Sequence, residues 1–143
     1  MNDNETTISE LKQLVDKFIT EREWRKYHTP RNLAASICIE AAELLEHFQW
    51  DVFPDSDKTE ESENLTVQAE SSSGPSIYNQ SNSLGISETR HKEIAEEMAD
   101  VIAYLLSLSI YMKIDLSSTL SEKMIKNAKK YPVDQFKGKW KRI

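Results

Sequence analysis

The sequence predicts an all-α protein, and three observations carry that prediction. Only 3 Gly and 4 Pro interrupt 143 residues, 38% of them hydrophobic. Apolar residues recur at three- and four-residue spacing in long segments, and no alternating run marks a strand. Helix-starting signals stand at the head of these segments. The expected architecture is a single domain over residues 1–143: a four-helix bundle-type protomer with a long polar loop, its bundle completed by homo-oligomerisation.

The first helix is expected from about Ile8 to Tyr27. Thr7 and Glu10 form a capping-box signal, and Ile8, Leu11, Val15, Phe18 and Ile19 fall on one side. The second begins at Pro30 behind Thr29, a cap followed by a residue whose missing N–H costs nothing at the first helical position, and runs to about Trp50. The third spans about Glu88 to Met112. The fourth covers about Leu116 to Lys130, with Asp115 as its cap and Pro132 just past its end. Val133 to Ile143 reads as a tail containing basic FKGKWKR, either solvated or an interface arm.

The net charge of -6 is concentrated in one place. Residues 51 to 90 hold eight acids and two bases, leaving sixteen of each sign elsewhere. The same stretch contains DSDKTEESEN and SSSGPSIYNQSNS, which bury too little apolar surface to offset ordering entropy. A mobile acidic insert is therefore expected at about 54–87. Its acidity argues against a general nucleic-acid surface, which needs a basic stripe. No segment approaches about 18 consecutive apolar residues, and the N-terminus has neither a basic start nor an apolar signal core, so no membrane and a cytoplasmic location are expected. Cys38 is the single cysteine. It lies in an apolar stretch, where a small core residue is expected rather than a nucleophile.

Two acidic words carry the chemistry. Glu40 and Glu43, and likewise Glu97 and Asp100, are three residues apart and so project roughly 60° apart on a helix, sharing one face. Leu33, Ile37, Leu44 and Phe48 flank the first pair, and Ile94, Val101, Leu105 and Leu108 the second. At the margin of a buried stripe a carboxylate is costly unless neutralised. Facing pairs also repel, by roughly 3 kcal/mol per contact at about 6 Å and an effective dielectric near 20. A divalent cation removes that cost. Oxygen ligands without Cys favour a hard ion, Mg²⁺ or Mn²⁺, over zinc. The alternative for any one such pair is a solvated helix face. Glu88 and His91 have the spacing of a di-iron bundle element, but that chemistry needs two such motifs and further Glu residues. His47, one turn beyond Glu43, is expected beside the site or at the surface rather than as a ligand.

The words REWRKYHTPRNLAASICIEAAELLEHFQWD, EIAEEMADVIAYLLSL and SEKMIKNAKKYP resemble the all-α nucleoside triphosphate pyrophosphohydrolases of the MazG-like group, the dCTP pyrophosphatases above all. The resemblance covers about Ile8 to Asp51 and Lys92 to Pro132, and the polar insert is longer than the group usually carries. It implies cleavage of a nucleoside triphosphate between the α and β phosphates, of dCTP or a modified dCTP, in sanitation of the nucleotide pool. It implies that Glu40, Glu43, Glu97 and Asp100 hold Mg²⁺, with Mn²⁺ a substitute, and that one of them not saturated by metal orients or deprotonates a water. Trp24 and Trp50 match aromatics that flank the nucleobase, with core packing as the alternative. His28 and Asn32 match positions near base or sugar, with capping as the alternative. Tyr104, one turn beyond Asp100, matches a sugar contact. Lys123, Asn127 and Lys130 recur at helical spacing and suit phosphate oxygens, or else form a solvated basic face.

A site built on two helices needs further walls, so a homodimer or homotetramer is expected. Two rival functions share these residues. One keeps the fold and changes the substrate to phosphoribosyl-ATP or a broad nucleotide range. The other is a non-catalytic helical interaction module.

Overall fold

The computed structural model describes residues 1–50 and 86–138. Five helices are present among them: α1 Ile8–Glu21, α2 Pro30–Glu46, α3 Glu88–Tyr111, α4 Leu116–Lys130 and the short α5 Val133–Phe136. A single 3-10 turn, Trp24–Lys26, joins α1 to α2. The described part is all-helical, as the periodicity predicts. The insert expected at 54–87 lies outside the described residues except for its last two positions.

Each of the helices α1 to α4 starts where a side chain satisfies its free N–H groups. Thr7 Oγ1 accepts from the Glu10 amide at 3.2 Å, and the Glu10 carboxylate accepts from the Thr7 amide at 2.7 Å, completing the capping box. Thr29 accepts from Asn32 at 3.3 Å ahead of Pro30, and Ser87 accepts from Arg90 at 3.2 Å. Asp115 accepts from the Ser118 amide at 2.9 Å and from its hydroxyl at 2.6 Å.

Helix ends depart from expectation in three places. The first helix stops at Glu21 rather than Tyr27, because Glu23 adopts a left-handed conformation with φ of 53°. That geometry costs a non-glycine residue about 1–2 kcal/mol. Contacts around the bend offset it: the Arg22 guanidinium lies 3.6 Å from the Phe18 ring centroid and donates to the Phe18 carbonyl at 3.0 Å. Arg25, beyond the bend, reaches back to both oxygens of Asp16 at 2.6 and 2.7 Å and to Thr20 Oγ1 at 3.0 Å. The second helix ends at Glu46 rather than Trp50, where Phe48, Trp50, Asp51 and Val52 offer weak helix propensity. Four residues of the expected tail form α5, held by an edge-to-face contact between Tyr131 and Phe136 at 5.3 Å.

α2 packs chiefly against α3, and α1 against α3. Ile19, Leu33 and Leu106 are the buried apolar residues among those described, Leu33 fully so. Buried with them, Ser107 and Ser109 donate to the carbonyls of Ala103 at 2.8 Å and Leu106 at 2.7 Å. Of the residues expected on the buried side of α1, Ile8 and Phe18 are exposed. Cys38 is likewise exposed, not in the core, because it projects from the side of α2 turned away from α3. α3 ends in a Schellman turn: Lys113 has φ of 54°, its amide bonds the Ile110 carbonyl, and the Ile114 amide bonds that of Ser109. Lys12 Nζ donates to the Ile114 carbonyl at 2.9 Å, tying α1 to this corner. The chain then turns by 103° into α4, which projects from the body with Leu120, Met124 and Ile125 at least half exposed. Among the described residues no single helix is long and apolar enough to cross a membrane.

Candidate active site

The packing of α2 on α3 brings the two acidic words together. Glu40, Glu97 and Asp100 each offer a carboxylate oxygen within 4.8 Å of the other two. Glu40 and Glu97 are half-buried and Asp100 is exposed, so the cluster opens to one side. One Glu97 oxygen is buried with no hydrogen-bond partner. An orphaned buried carboxylate oxygen is expensive, and among the described ion pairs none involves these acids. Glu43, one turn further along α2, is exposed and stands outside the three-oxygen cluster. It is nonetheless the strongest charge acting on Glu40.

That crowding shows in the acidity of Glu40. Its pKa is raised above the ordinary 4.5, first by desolvation and then by the charges of Glu43, Asp100 and Glu97. A carboxyl whose pKa is higher folded than unfolded destabilises the fold when ionised. The penalty is absent well below pH 4.5, appears as pH rises through the folded value, and persists at neutrality. Without divalent cations, Glu40→Gln should therefore raise the Tm at pH 7 and change it little at pH 4. Thermal melts at the two pH values check this; an equal shift at both would mean that charge is not the cause.

The donor set fits a hard divalent cation. Three oxygens 4.8 Å apart place a central ion at most roughly 2.8 Å from each, and a small rotation of each side chain closes this to the about 2.0–2.6 Å of Mg²⁺ or Ca²⁺. With all-oxygen ligands and an open side, such an ion retains positions for water or phosphate.

Other residues singled out in the sequence lie at varying removes. Tyr104 is one turn beyond Asp100, and its ring is 6.5 Å from that of His28. His28 has a buried Nδ1 without a partner. It borders a cavity of about 210 Å³ lined also by Asp16, Ile19, Arg25, Leu33, Ser107, Ile110 and Tyr111. Asn32 donates from its side chain to the Tyr27 carbonyl at 2.9 Å, the structural alternative for that residue. Trp24 is 43% exposed and stands edge-on to Phe18 at 5.8 Å; it is not core. Trp50 is 85% exposed, beside a cleft shared with His47, Arg90 and Glu93. The 17 residues of α2 separate the turns carrying the two tryptophans, roughly 25 Å of helix, so one protomer does not bring both to a single base. Lys123, Asn127 and Lys130 lie on the projecting α4, and no described side-chain contact joins them to the acidic cluster.

Asp16, Arg25, Ser107 and Tyr111 were not legible as cavity residues. The Asp16–Arg25 pair closes across the bend at Glu23, and no local pattern in the sequence marks that bend.

A family model described as MazG-like matches residues 79–142, which include Glu97, Asp100 and the α4 basic residues. A crystal structure of a pyrophosphatase from Archaeoglobus fulgidus superposes with a TM-score of 0.65 at 35% sequence identity, covering 92% of this chain and 98% of that one. The chain belongs to the MazG-like family. Two further relatives, each named dCTP pyrophosphatase 1, come from Bos taurus and Homo sapiens. The bovine protein is 29% identical over 135 residues, 94% of this chain and 65% of that protein. The human protein is 29% identical over 128 residues, 90% of this chain and 61% of that protein. This MazG-like chain thus spans a little under two thirds of the mammalian relatives. The match to residues 79–142 takes in only the second acidic word, whereas the structural match spans nearly the whole fold.

Proposed function

We propose that the protein is a nucleoside triphosphate pyrophosphohydrolase, dependent on Mg²⁺ or Mn²⁺, that cleaves dCTP or a modified dCTP to the monophosphate and pyrophosphate. The observation that carries this reading is the convergence of Glu40, Glu97 and Asp100 around an unpartnered buried oxygen of Glu97. The names of the mammalian relatives and of the Archaeoglobus neighbour support it.

These three carboxylates would hold the cation. When bound there, it supplies positive charge against the triphosphate and lowers the pKa of a coordinated water. Glu43 stands outside the cluster and so is the carboxylate that would orient the attacking water and take its proton. Water oxygen then bonds to the α-phosphorus, the bond from the α-phosphorus to the bridging oxygen breaks, and pyrophosphate departs with the electron pair. The His28 cavity receives the nucleoside. Ser107 on its wall lies seven residues past Asp100, roughly 10 Å along the helix, a span that a nucleoside 5′-phosphate can bridge.

Trp24, Trp50 and the α4 group Lys123, Asn127 and Lys130 complete the site in a homo-oligomer. The separation of the two tryptophans along α2 and the projection of α4 favour contributions from more than one copy. The function is tested by resolving the products of a panel of deoxy- and ribonucleotides with Mg²⁺. Release of dCMP and pyrophosphate, with the highest kcat/KM for a cytosine deoxynucleotide, is expected. Release of orthophosphate would sink the assigned cleavage, and a higher kcat/KM for phosphoribosyl-ATP would transfer the fold to the rival substrate.

A further inference from the structure

The ion pair that closes the α1 bend also lines the His28 cavity, and it occupies a single guanidinium nitrogen. Arg25 Nη2 donates to both oxygens of Asp16, at 2.6 and 2.7 Å, and to Thr20 Oγ1 at 3.0 Å. No hydrogen bond among the described residues uses its Nη1 or Nε, although an arginine carries five N–H donors. Asp16 keeps capacity too, since each carboxylate oxygen has a second lone pair. An acceptor and spare donors therefore stand side by side on one wall of the cavity. Its volume of about 210 Å³ lies below the roughly 300 Å³ at which small-molecule sites begin, and Ile19, Leu33 and Ile110 give it apolar walls. A flat one-ring base fits such a space better than a two-ring one. The buried Nδ1 of His28, without a partner among the described residues, leaves a polar group of this cavity for a ligand to satisfy.

We infer that Asp16 and Arg25 set the base preference: Asp16 accepts from the exocyclic amino group of a cytosine, and Arg25 donates to the adjacent ring nitrogen. The inference rests on the nucleoside placement proposed above and names the residues that read the base. Along its pairing edge cytosine presents an amino donor, a ring-nitrogen acceptor and a carbonyl acceptor. The Asp16–Arg25 wall complements the first two with a carboxylate and a guanidinium. Uracil and thymine reverse them, so a carbonyl oxygen faces the Asp16 carboxylate and a ring N–H faces the Arg25 N–H groups. Each such meeting leaves polar groups unpaired, which costs more than a formed contact gains. Adenine offers donor and acceptor in the cytosine order but brings a second ring into a small cavity. The position relative to the acidic cluster agrees: the His28 ring is 6.5 Å from that of Tyr104, one turn beyond Asp100, so the sugar leaves the cavity past His28 towards the three carboxylates. A clamp for the bend needs only opposite charges and is indifferent to which residue carries which. A reader of the base edge is not.

That difference supplies the test, with pyrophosphate release from dCTP and dUTP compared by kcat/KM in the full chain with Mg²⁺. Asp16→Asn keeps the size of the side chain and an oxygen for Arg25, but its amide nitrogen can also donate to a carbonyl. It should lower the dCTP to dUTP ratio at least about tenfold, through KM more than kcat and with helical circular dichroism unchanged. The exchange Asp16→Arg with Arg25→Asp restores the ion pair in reverse order. It should keep the helical signal and lose the preference for dCTP. An equal loss on both nucleotides in Asp16→Asn, or an exchanged pair that preserves the native ratio, makes the pair a clamp alone and overturns the inference. A native protein that hydrolyses dCTP and dUTP alike overturns it too, while leaving the pyrophosphohydrolase reading intact. Failure to release pyrophosphate from any triphosphate ends both.

Discussion

Glu97→Gln should lower kcat for pyrophosphate release at least about a hundredfold and abolish Mn²⁺ binding, whereas Glu43→Gln should lower kcat comparably and retain the ion. The difference follows from position. Glu97 places an orphaned oxygen within the three-carboxylate cluster, so its amide analogue removes a negative charge from the centre that neutralises the cation. Glu43 lies one turn away, exposed and outside that cluster, and acts on it only through its charge on Glu40. Calorimetric titration with Mn²⁺ beside steady-state kinetics separates the two roles. Loss of Mn²⁺ affinity in both variants would make Glu43 a ligand and leave the proton acceptor to be found elsewhere. Undiminished kcat in Glu97→Gln would remove the cluster from the mechanism altogether.

Removal of divalent cations should eliminate activity and at the same time destabilise the fold. With the ion gone, Glu40, Glu97 and Asp100 repel within 4.8 Å, each contact costing on the order of 3 kcal/mol at an effective dielectric near 20 before relaxation and solvent reduce it. Chelation should therefore lower the Tm at pH 7, and Mg²⁺ or Mn²⁺ should restore both Tm and turnover. Lowering the pH toward the ordinary carboxyl range should weaken ion binding, because protons compete for the same oxygens. Raised acidity also shrinks the effect of chelation on Tm, since protonated Glu40 no longer repels its neighbours. Full activity after exhaustive chelation would rule out the cation-dependent reading. A Tm unchanged by Mn²⁺ would place the ion elsewhere than this cluster.

The two acidic words were legible because their geometry is local. A three-residue spacing on a helix fixes a shared face whatever the surroundings, and the apolar neighbours Leu33, Leu44 and Val101 imply that the face borders a packed seam. Caps at Thr7, Thr29 and Asp115 were legible for the same reason, each being a contact within one turn. The end of α1 was not. Its Glu23 bend is stabilised by Arg25 reaching Asp16 nine positions back, and that contact exists only once the chain has already turned.

By itself, then, the sequence determined the helices, their starting points and the side of each that carries carboxylates. Tertiary structure decided which of those carboxylates meet, because the register of α2 on α3 admits Glu40, Glu97 and Asp100 to one cluster and leaves Glu43 at its edge. It decided that Trp24 and Trp50 stand at opposite ends of α2, that the chain turns by 103° between α3 and α4, and that Cys38 is exposed. Periodicity identifies an apolar face through short-range geometry. Which neighbour covers that face is set by contacts between residues far apart in the chain.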